Sequence, residues 1–438
     1  MADKRVLIIG GGLAGVTTHY ELSARGVPAL LLDAAAKPAS GASHANGGVL
    51  HPSLPDPWNN PGIGKILAAS LFNPRAPMRL HLSQVPNLLG WGMSFLKNSS
   101  PARHRAITRA NFALADYSTR QTEALEQKLN LHYEQAAPGT LKLLRNDEEA
   151  RAALAMADML ATAQGDGGGL RYDYLDRAAL GKHEPAFADA TDLVGAVYFP
   201  DDRVGNARLF CDALLAAAKK QGGEVRLRAR VESLQVSDGA VTGVHLVDAQ
   251  GQGEVLHGDV VLCAGAASTR LARQAGMRLP VRPAKGYSLT LPAASLDDSD
   301  GLRLRHPFVD PQLHIAVTPM ADKIRILGMA EFAGFDTEVK PARLAMLRRF
   351  FEQLLPKMGA GLAWDKAEGW AGLRPMSADG RPFIGPAARP GLWVNCGHGH
   401  LGWTMAVGSA RLLADLYLSR QPEIEATAFH PSAALRRL

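Results

Sequence analysis

The first 33 residues constrain the fold of this 438-residue chain more than any other stretch. Arg5 to Ile9 reads as a short buried strand, and Gly10-Gly11-Gly12-Leu13-Ala14-Gly15 follows it without a gap. Helical character then runs from Leu13 to Arg25 and stops at Gly26, a residue suited to helix C-termini. A second apolar strand, Ala29 to Leu32, ends on Asp33. Strand, G-x-G-x-x-G, helix, strand and acid is the pattern of a dinucleotide-binding βαβ unit, and each part has a physical task. Gly10 permits the tight turn, Gly12 lets the backbone approach a pyrophosphate, and Gly15 lets helix and strand pack closely. The free N–H groups at the helix start, those of Leu13 and Ala14 among them, offer that pyrophosphate donors and partial positive charge. Asp33, 18 residues beyond Gly15, is placed to accept hydrogen bonds from ribose hydroxyls.

The rest of the chain reads as α/β with alternating visits to two domains. Ile107 to Leu129 and Glu148 to Ala163 have helical periodicity, joined by a strand-like Thr140 to Leu144. Asn206 reads as the N-cap of a helix ending at Gly222-Gly223. Strands follow, turning at Ser237-Asp238-Gly239. Asp259 to Gly265 is an unbroken apolar run that reads as a parallel strand returning to the first sheet. Arg282 to Leu291 and Leu313 to Ala330 read as further strands, and Pro341 to Leu355 and Ala406 to Leu418 as helices. The expected division is a dinucleotide-binding domain from 1–52, 200–280 and 364–438, and a discontinuous α+β substrate domain from 53–199 and 281–363. The other glycine cluster, Gly165 to Gly169 around Asp166, follows no convincing strand. A single dinucleotide site in a redox enzyme favours a permanently held flavin.

Composition excludes several alternatives. The formal charge of +6 admits nucleic acid, an anionic membrane face or an acidic substrate as partner, but the basic residues are scattered without interleaved aromatics, so no nucleic-acid partner is expected. No apolar run approaches the ~20 residues of a membrane span. The N-terminus lacks secretory-signal features, and Cys211, Cys263 and Cys396 form neither a C-x-x-C pair nor a disulfide framework. No metal site is suggested. The expected location is the cytoplasm, with a peripheral position on the cytoplasmic face of the inner membrane as the alternative.

Four separated motifs then carry a resemblance. They are the N-terminal glycine motif; Ser43-His44-Ala45-Asn46-Gly47-Gly48; Lys285-Gly286-Tyr287-Ser288; and Trp370 to Gly385 followed by Trp393 to Met405. In this order they resemble the D-amino acid oxidase-like FAD oxidoreductases, and among them the catalytic (small) subunits of the bacterial D-amino acid dehydrogenases. The resemblance runs nearly end to end. It implies a noncovalent FAD on a Rossmann-type domain capped by the substrate domain. Carried over by position, Ser43, His44, Asn46, Gly47 and Gly48 lie along the flavin, Val231 touches the adenine side, and Gly265 ends a strand at the nucleotide. Gly399, His400, Leu401, Gly402, Trp403 and Thr404 face the N1–C2=O edge, where the start of a helix from Leu401 to Leu418 would stabilise negative charge.

Arg374 matches the family's ligand for the substrate carboxylate, since its guanidinium fork pairs with a carboxylate bidentately. Tyr287 is either a second donor to that carboxylate or a buried aromatic. His51 and His314 are candidates to line the pocket, His51 with a catalytic part, although satisfied core or surface histidines are the alternative. The chain departs from its relatives at His51, where a small or aromatic residue is common, and at His400, where glycine oxidases carry a second Arg. The implied reaction is hydride transfer from the α carbon of a D-amino acid to flavin N5. It gives an imino acid that hydrolyses to a 2-oxo acid and ammonia, with electrons passing to a quinone or other non-oxygen acceptor. The alternatives are a glycine, sarcosine or D-proline-type amine oxidase using oxygen, and a catalytically silent flavin-binding relay subunit. Finally, Leu88 to Leu96 is apolar and lies near Arg75, Arg79, Lys97, Arg103 and Arg105. It reads either as a packing segment of the substrate domain or as a peripheral membrane contact.

Overall fold

The structure, a computed structural model, describes residues 5–73, 76–162, 169–293 and 303–431. Arg75, Ala163 and most of the glycine cluster at 165–169 lie outside them. A six-stranded sheet has the order Phe383–Pro386, Leu392–Cys396, Asp259–Leu262, Val6–Ile9, Ala29–Leu32, Glu224–Arg226. Its strands pair in parallel except at the first pair, so the expected return of Asp259–Leu262 beside Val6–Ile9 is found. Both of these strands are almost wholly apolar because both faces of the sheet are covered.

On one face lies the helix Leu13–Ala24, buried on nearly every side between the sheet and the helices Ala207–Lys220 and Ala406–Tyr417. This explains its lack of an amphipathic stripe: a helix with neighbours all round has no solvent face to make polar. Asn206 caps the helix Ala207–Lys220, its side chain accepting from the Arg208 and Leu209 N–H groups. A three-stranded antiparallel sheet, Arg230–Ser237, Ala240–Val247 and Gly253–His257, sits alongside, and its first turn uses Asp238 and Gly239 at positive φ.

The second layer system is a nine-stranded mixed sheet. It runs Glu368–Ser377, Val281–Pro292, Lys323–Phe332, Ile315–Met320, Phe308–Asp310, Thr140–Leu144, Gly195–Phe199, Asp173–Asp176, with Met78–Leu80 pairing to Lys323–Phe332. The segment expected as strand from 313 to 330 is therefore a hairpin of two strands. Residues 368–377, expected with the nucleotide-binding portion, pair along their whole length with Val281–Pro292. The chain thus leaves the six-stranded sheet, builds one edge of the large sheet, and returns at Phe383.

The helix Val85–Lys97 lies on this large sheet. It buries Trp91 and Phe95 against Phe332, Met376 and Ala284, and the Trp91 indole donates to the Met376 carbonyl at 3.1 Å. Its opposite stripe is apolar yet open: Leu89, Met93 and Leu96 are 59%, 69% and 47% exposed.

Candidate active site

The turn after Val6–Ile9 is built for a close approach. Gly10 has φ +113°, and a Cβ on it would lie 2.7 Å from the Cys263 carbonyl oxygen. A Cβ on Gly15 would fall 1.7 Å from the Gly10 oxygen, so the first helix turn can rest directly on the strand end only because both are glycines. Asp33 accepts from the Gly11 N–H and, at 2.7 Å, from Ala35, which fixes the acid beside the glycine turn. Ser43 reaches back to accept from the Leu13 N–H at 3.1 Å. The segment after it is tied to the large sheet: Arg325 donates to the Asn46 carbonyl at 3.0 Å and Thr318 to that of Gly47 at 2.6 Å.

From this cradle a continuous cavity of about 1370 Å³ runs to the edge strand carrying Arg374. That exceeds the roughly 300–1,000 Å³ of a pocket for one drug-sized ligand, so a dinucleotide and a further small molecule fit together. Gly10, Gly12, Leu13, Ala14 and Asp33 line its nucleotide end, with Val231 and Gly265 beside them. Ser43, Asn46 and Gly47 line the middle. Gly399, His400, Gly402 and Trp403 face Arg374, Tyr287, His51 and His314 at the far end.

Five expected residues support the wall instead of forming it. Gly15 is under the glycine turn. Gly48 bends at φ +69° and its carbonyl accepts from Gly205 at 2.8 Å. Leu401 is in the core, and the buried Thr404 hydroxyl accepts from the His51 N–H at 3.1 Å. His44 turns outward to the Trp370 ring, 6.0 Å between centroids, in a separate recess with Arg208 and Arg325.

The expected helix start at Leu401 is corrected. Tight turns occupy Gly402–Met405, where Met405 N–H returns to the Leu401 carbonyl and Ala406 N–H to that of Trp403, so the helix begins at Ala406. The N–H groups of Gly402, Trp403 and Thr404 find no acceptor among the described residues. Of these, Gly402 and Trp403 line the cavity, so loop amides, ahead of the helix itself, stand where a negative cofactor edge could use them.

Arg374 is partly buried at the cavity wall, with no carboxylate within ion-pair distance among the described residues, and desolvation pushes its guanidinium down to about 10. Its Nη1 donates to the Met329 carbonyl at 3.0 Å, and its Cζ stands 5.4 Å from the centre of the Trp58 ring. Trp58 in turn stacks on His400 at 5.7 Å, and His400 on His51 at 6.5 Å. Burial lowers both histidines to about 4, helped at His51 by His400 and opposed at both by Asp56, so both imidazoles are neutral at pH 7. Trp58, Asp56 and Met329 escaped the reading of the sequence. The Asp-Pro-Trp run at 56–58 was the one available signal.

The Tyr287 phenol donates to Glu331 at 3.3 Å within the core. Burial works to raise the Glu331 carboxyl, but Arg343, ion-paired to it, outweighs this and holds it below the ordinary range. The Tyr287 hydroxyl is thereby engaged away from a carboxylate at Arg374. Cys263 and Cys396 also line the cavity, and burial raises both thiols far above their ordinary range.

Fold and cavity together are those of a dinucleotide-binding redox enzyme with a substrate chamber beside the nucleotide. The chain belongs to the FAD dependent oxidoreductase family, whose sequence profile it matches over residues 5–416. It is 35% identical to a D-amino acid dehydrogenase of Sinorhizobium medicae over 424 residues, 97% of this chain and 98% of that protein. Among solved structures, glycine oxidase from Geobacillus kaustophilus superposes with a TM-score of 0.71 at 23% identity, covering 98% and 99% of the two chains. L-proline dehydrogenase from P. horikoshii gives 0.74 at 15% identity, covering 98% and 97%. At these identities both show the same fold. The glycine cradle, the fixed Asp33 and the acceptor-free loop amides fit FAD as this family's cofactor.

Proposed function

We propose that this enzyme oxidatively deaminates D-amino acids to 2-oxo acids and ammonia, delivering electrons to a quinone or another acceptor other than oxygen. The observation that carries the reading is Arg374. A largely desolvated guanidinium without a counter-charge is costly unless an anion completes it, and Arg374 lines the same cavity as the glycine cradle. A substrate carboxylate supplies that charge, and the rigid fork of Arg374 would orient the α carbon. FAD, when bound, supplies a two-electron acceptor.

The chain's own residues do the rest. Neutral His51 and His400 add no positive charge that would repel a substrate ammonium, and Asp56 beside them favours a cation. The aromatic wall of Trp58 excludes water from the Arg374 pair, which strengthens it. A relay subunit that only binds flavin has no use for such a clamp. The D configuration is supported by the Sinorhizobium relative and the acceptor by that relative's being a dehydrogenase. The cofactor is held noncovalently: the cavity thiols are protonated and therefore poor nucleophiles. The exposed stripe Leu89, Met93 and Leu96, followed by exposed Lys97, Arg103 and Arg105, suits peripheral contact with an anionic leaflet holding the quinone.

The test is steady-state turnover of a panel of D-amino acids with an artificial dye, run against oxygen alone. Dye-dependent turnover at least about tenfold faster than oxygen consumption is expected. Equal rates with oxygen would favour the amine-oxidase reading, and no turnover with any D-amino acid would remove the proposal.

A further inference from the structure

The seat of the Arg374 guanidinium is a defect in the sheet. Along Val281–Pro292, Lys285 pairs with Glu331 but Tyr287 pairs with Gly328. Gly286 alone therefore stands opposite both Met329 and Ala330, the two-against-one count of a β-bulge. Met329 adopts φ +63°, a left-handed conformation uncommon for a residue with a side chain. That turn brings its carbonyl to Arg374 Nη1, the one hydrogen bond this guanidinium makes to a described residue. On its other flank Gly286 pairs with Gly372, two residues before Arg374.

Nothing in the backbone at position 286 calls for glycine, because its φ lies outside the left-handed region. The constraint is the space above it. A Cβ there would sit 2.0 Å from Arg374 Nη1, 2.5 Å from Cζ and 2.6 Å from Nη2, and its three nearest atoms all belong to Arg374. The guanidinium lies across the bare backbone of Gly286, with the Trp58 ring also against it.

We propose that Gly286 is a positioning residue for carboxylate recognition. Its missing side chain and the Met329 bulge together form the seat that holds the Arg374 fork flat and turned toward the cavity. The inference rests on the proposed function in taking a carboxylate as the ligand of Arg374. Gly286→Ala would force the guanidinium back by about 1 Å, the scale of misplacement that costs about 100-fold in a well-oriented site. Backbone and core would stay as they are.

The experiment titrates benzoate, a simple carboxylate, into FAD-loaded wild type, Gly286→Ala, Arg374→Ala and the double variant, following the flavin spectrum. KM and kcat for D-alanine are measured alongside for wild type and Gly286→Ala. Gly286→Ala is expected to weaken benzoate about 10- to 100-fold, to raise KM more than it lowers kcat, and to leave flavin content unchanged. In the Arg374→Ala background the same change should have no further effect, because the atoms it strikes are gone. Wild-type affinity in Gly286→Ala, or an equal loss in both backgrounds, would overturn the inference and leave the proposed function standing. Should Gly286→Ala lose flavin, Arg374→Ala must restore it, and failure to restore it would also overturn the inference. Wild-type protein that neither binds benzoate nor oxidises a D-amino acid would remove the inference and the proposed function together.

Discussion

Arg374 could be singled out from its local Gly-Leu-Arg-Pro context, whereas its surroundings could not. Trp58, Gly286 and Met329 reach it from three other segments, and no spacing along the chain records that they meet. Tyr287 shows the converse: the sequence left it open between substrate donor and buried aromatic, and its hydroxyl is engaged by Glu331 from a neighbouring strand. Two predictions belong at this scale. Arg374→Ala should keep its flavin while kcat/KM for D-alanine or D-proline falls about 30- to 1,000-fold, the loss of a charge-assisted pair worth about 2–4 kcal/mol. An undiminished kcat/KM would take Arg374 out of the site. Acid precipitation should leave a yellow supernatant and a colourless pellet, since protonated Cys263 and Cys396 form no bond to flavin. A yellow pellet would point to one of them.

Among the elements, the helix Val85–Lys97 shows why apolar content alone did not decide a role. Trp91 and Phe95 form one apolar stripe at helical spacing, and Leu89, Met93 and Leu96 form another. Both read alike in sequence, and only the large sheet beneath shows which one is core. A membrane test therefore falls on the second stripe. With anionic liposomes at low salt the wild-type protein should sediment, and Leu89→Gln plus Met93→Gln should release it with flavin and stability intact, because both side chains are more than half exposed. Sedimentation unchanged in that variant, or absent in the wild type, would remove the membrane contact. The Ala406–Tyr417 helix was legible from its periodicity, start included, whereas the earlier start at Leu401 drawn with the resemblance fails because Gly402–Met405 bond as turns.

At the scale of the molecule, the N-terminal βαβ unit and the parallel return of Asp259–Leu262 were readable from apolar runs and glycines. The membership of residues 368–377 was not, because an apolar strand carries no mark of which sheet it joins. The pH response also belongs to the whole fold. Burial lowers His19 and His398 to about 4 from an ordinary 6.5. The unfolded chain therefore binds more protons between those values, and stability contributed by the neutral rings is full above pH 6.5 and lost as pH falls through 4. Asp202 opposes them: burial raises it to about 7, so its contribution is full below about pH 4 and lost as pH rises through 7. With His51 and His400 lowered in the same way, four histidines stand against one aspartate, so denaturant-measured stability should drop by roughly several kcal/mol from pH 6.5 to 4.5, and His398→Gln should shallow that slope. A flat profile would count against neutral buried rings. The central claim, a carboxylate-clamping oxidoreductase for D-amino acids, is tested most directly by anaerobic mixing of the FAD-loaded enzyme with paired D- and L-amino acids. Flavin absorbance should bleach with D-alanine or another D-amino acid and persist with its L enantiomer; bleaching by the L series alone, or by neither, would contradict the account.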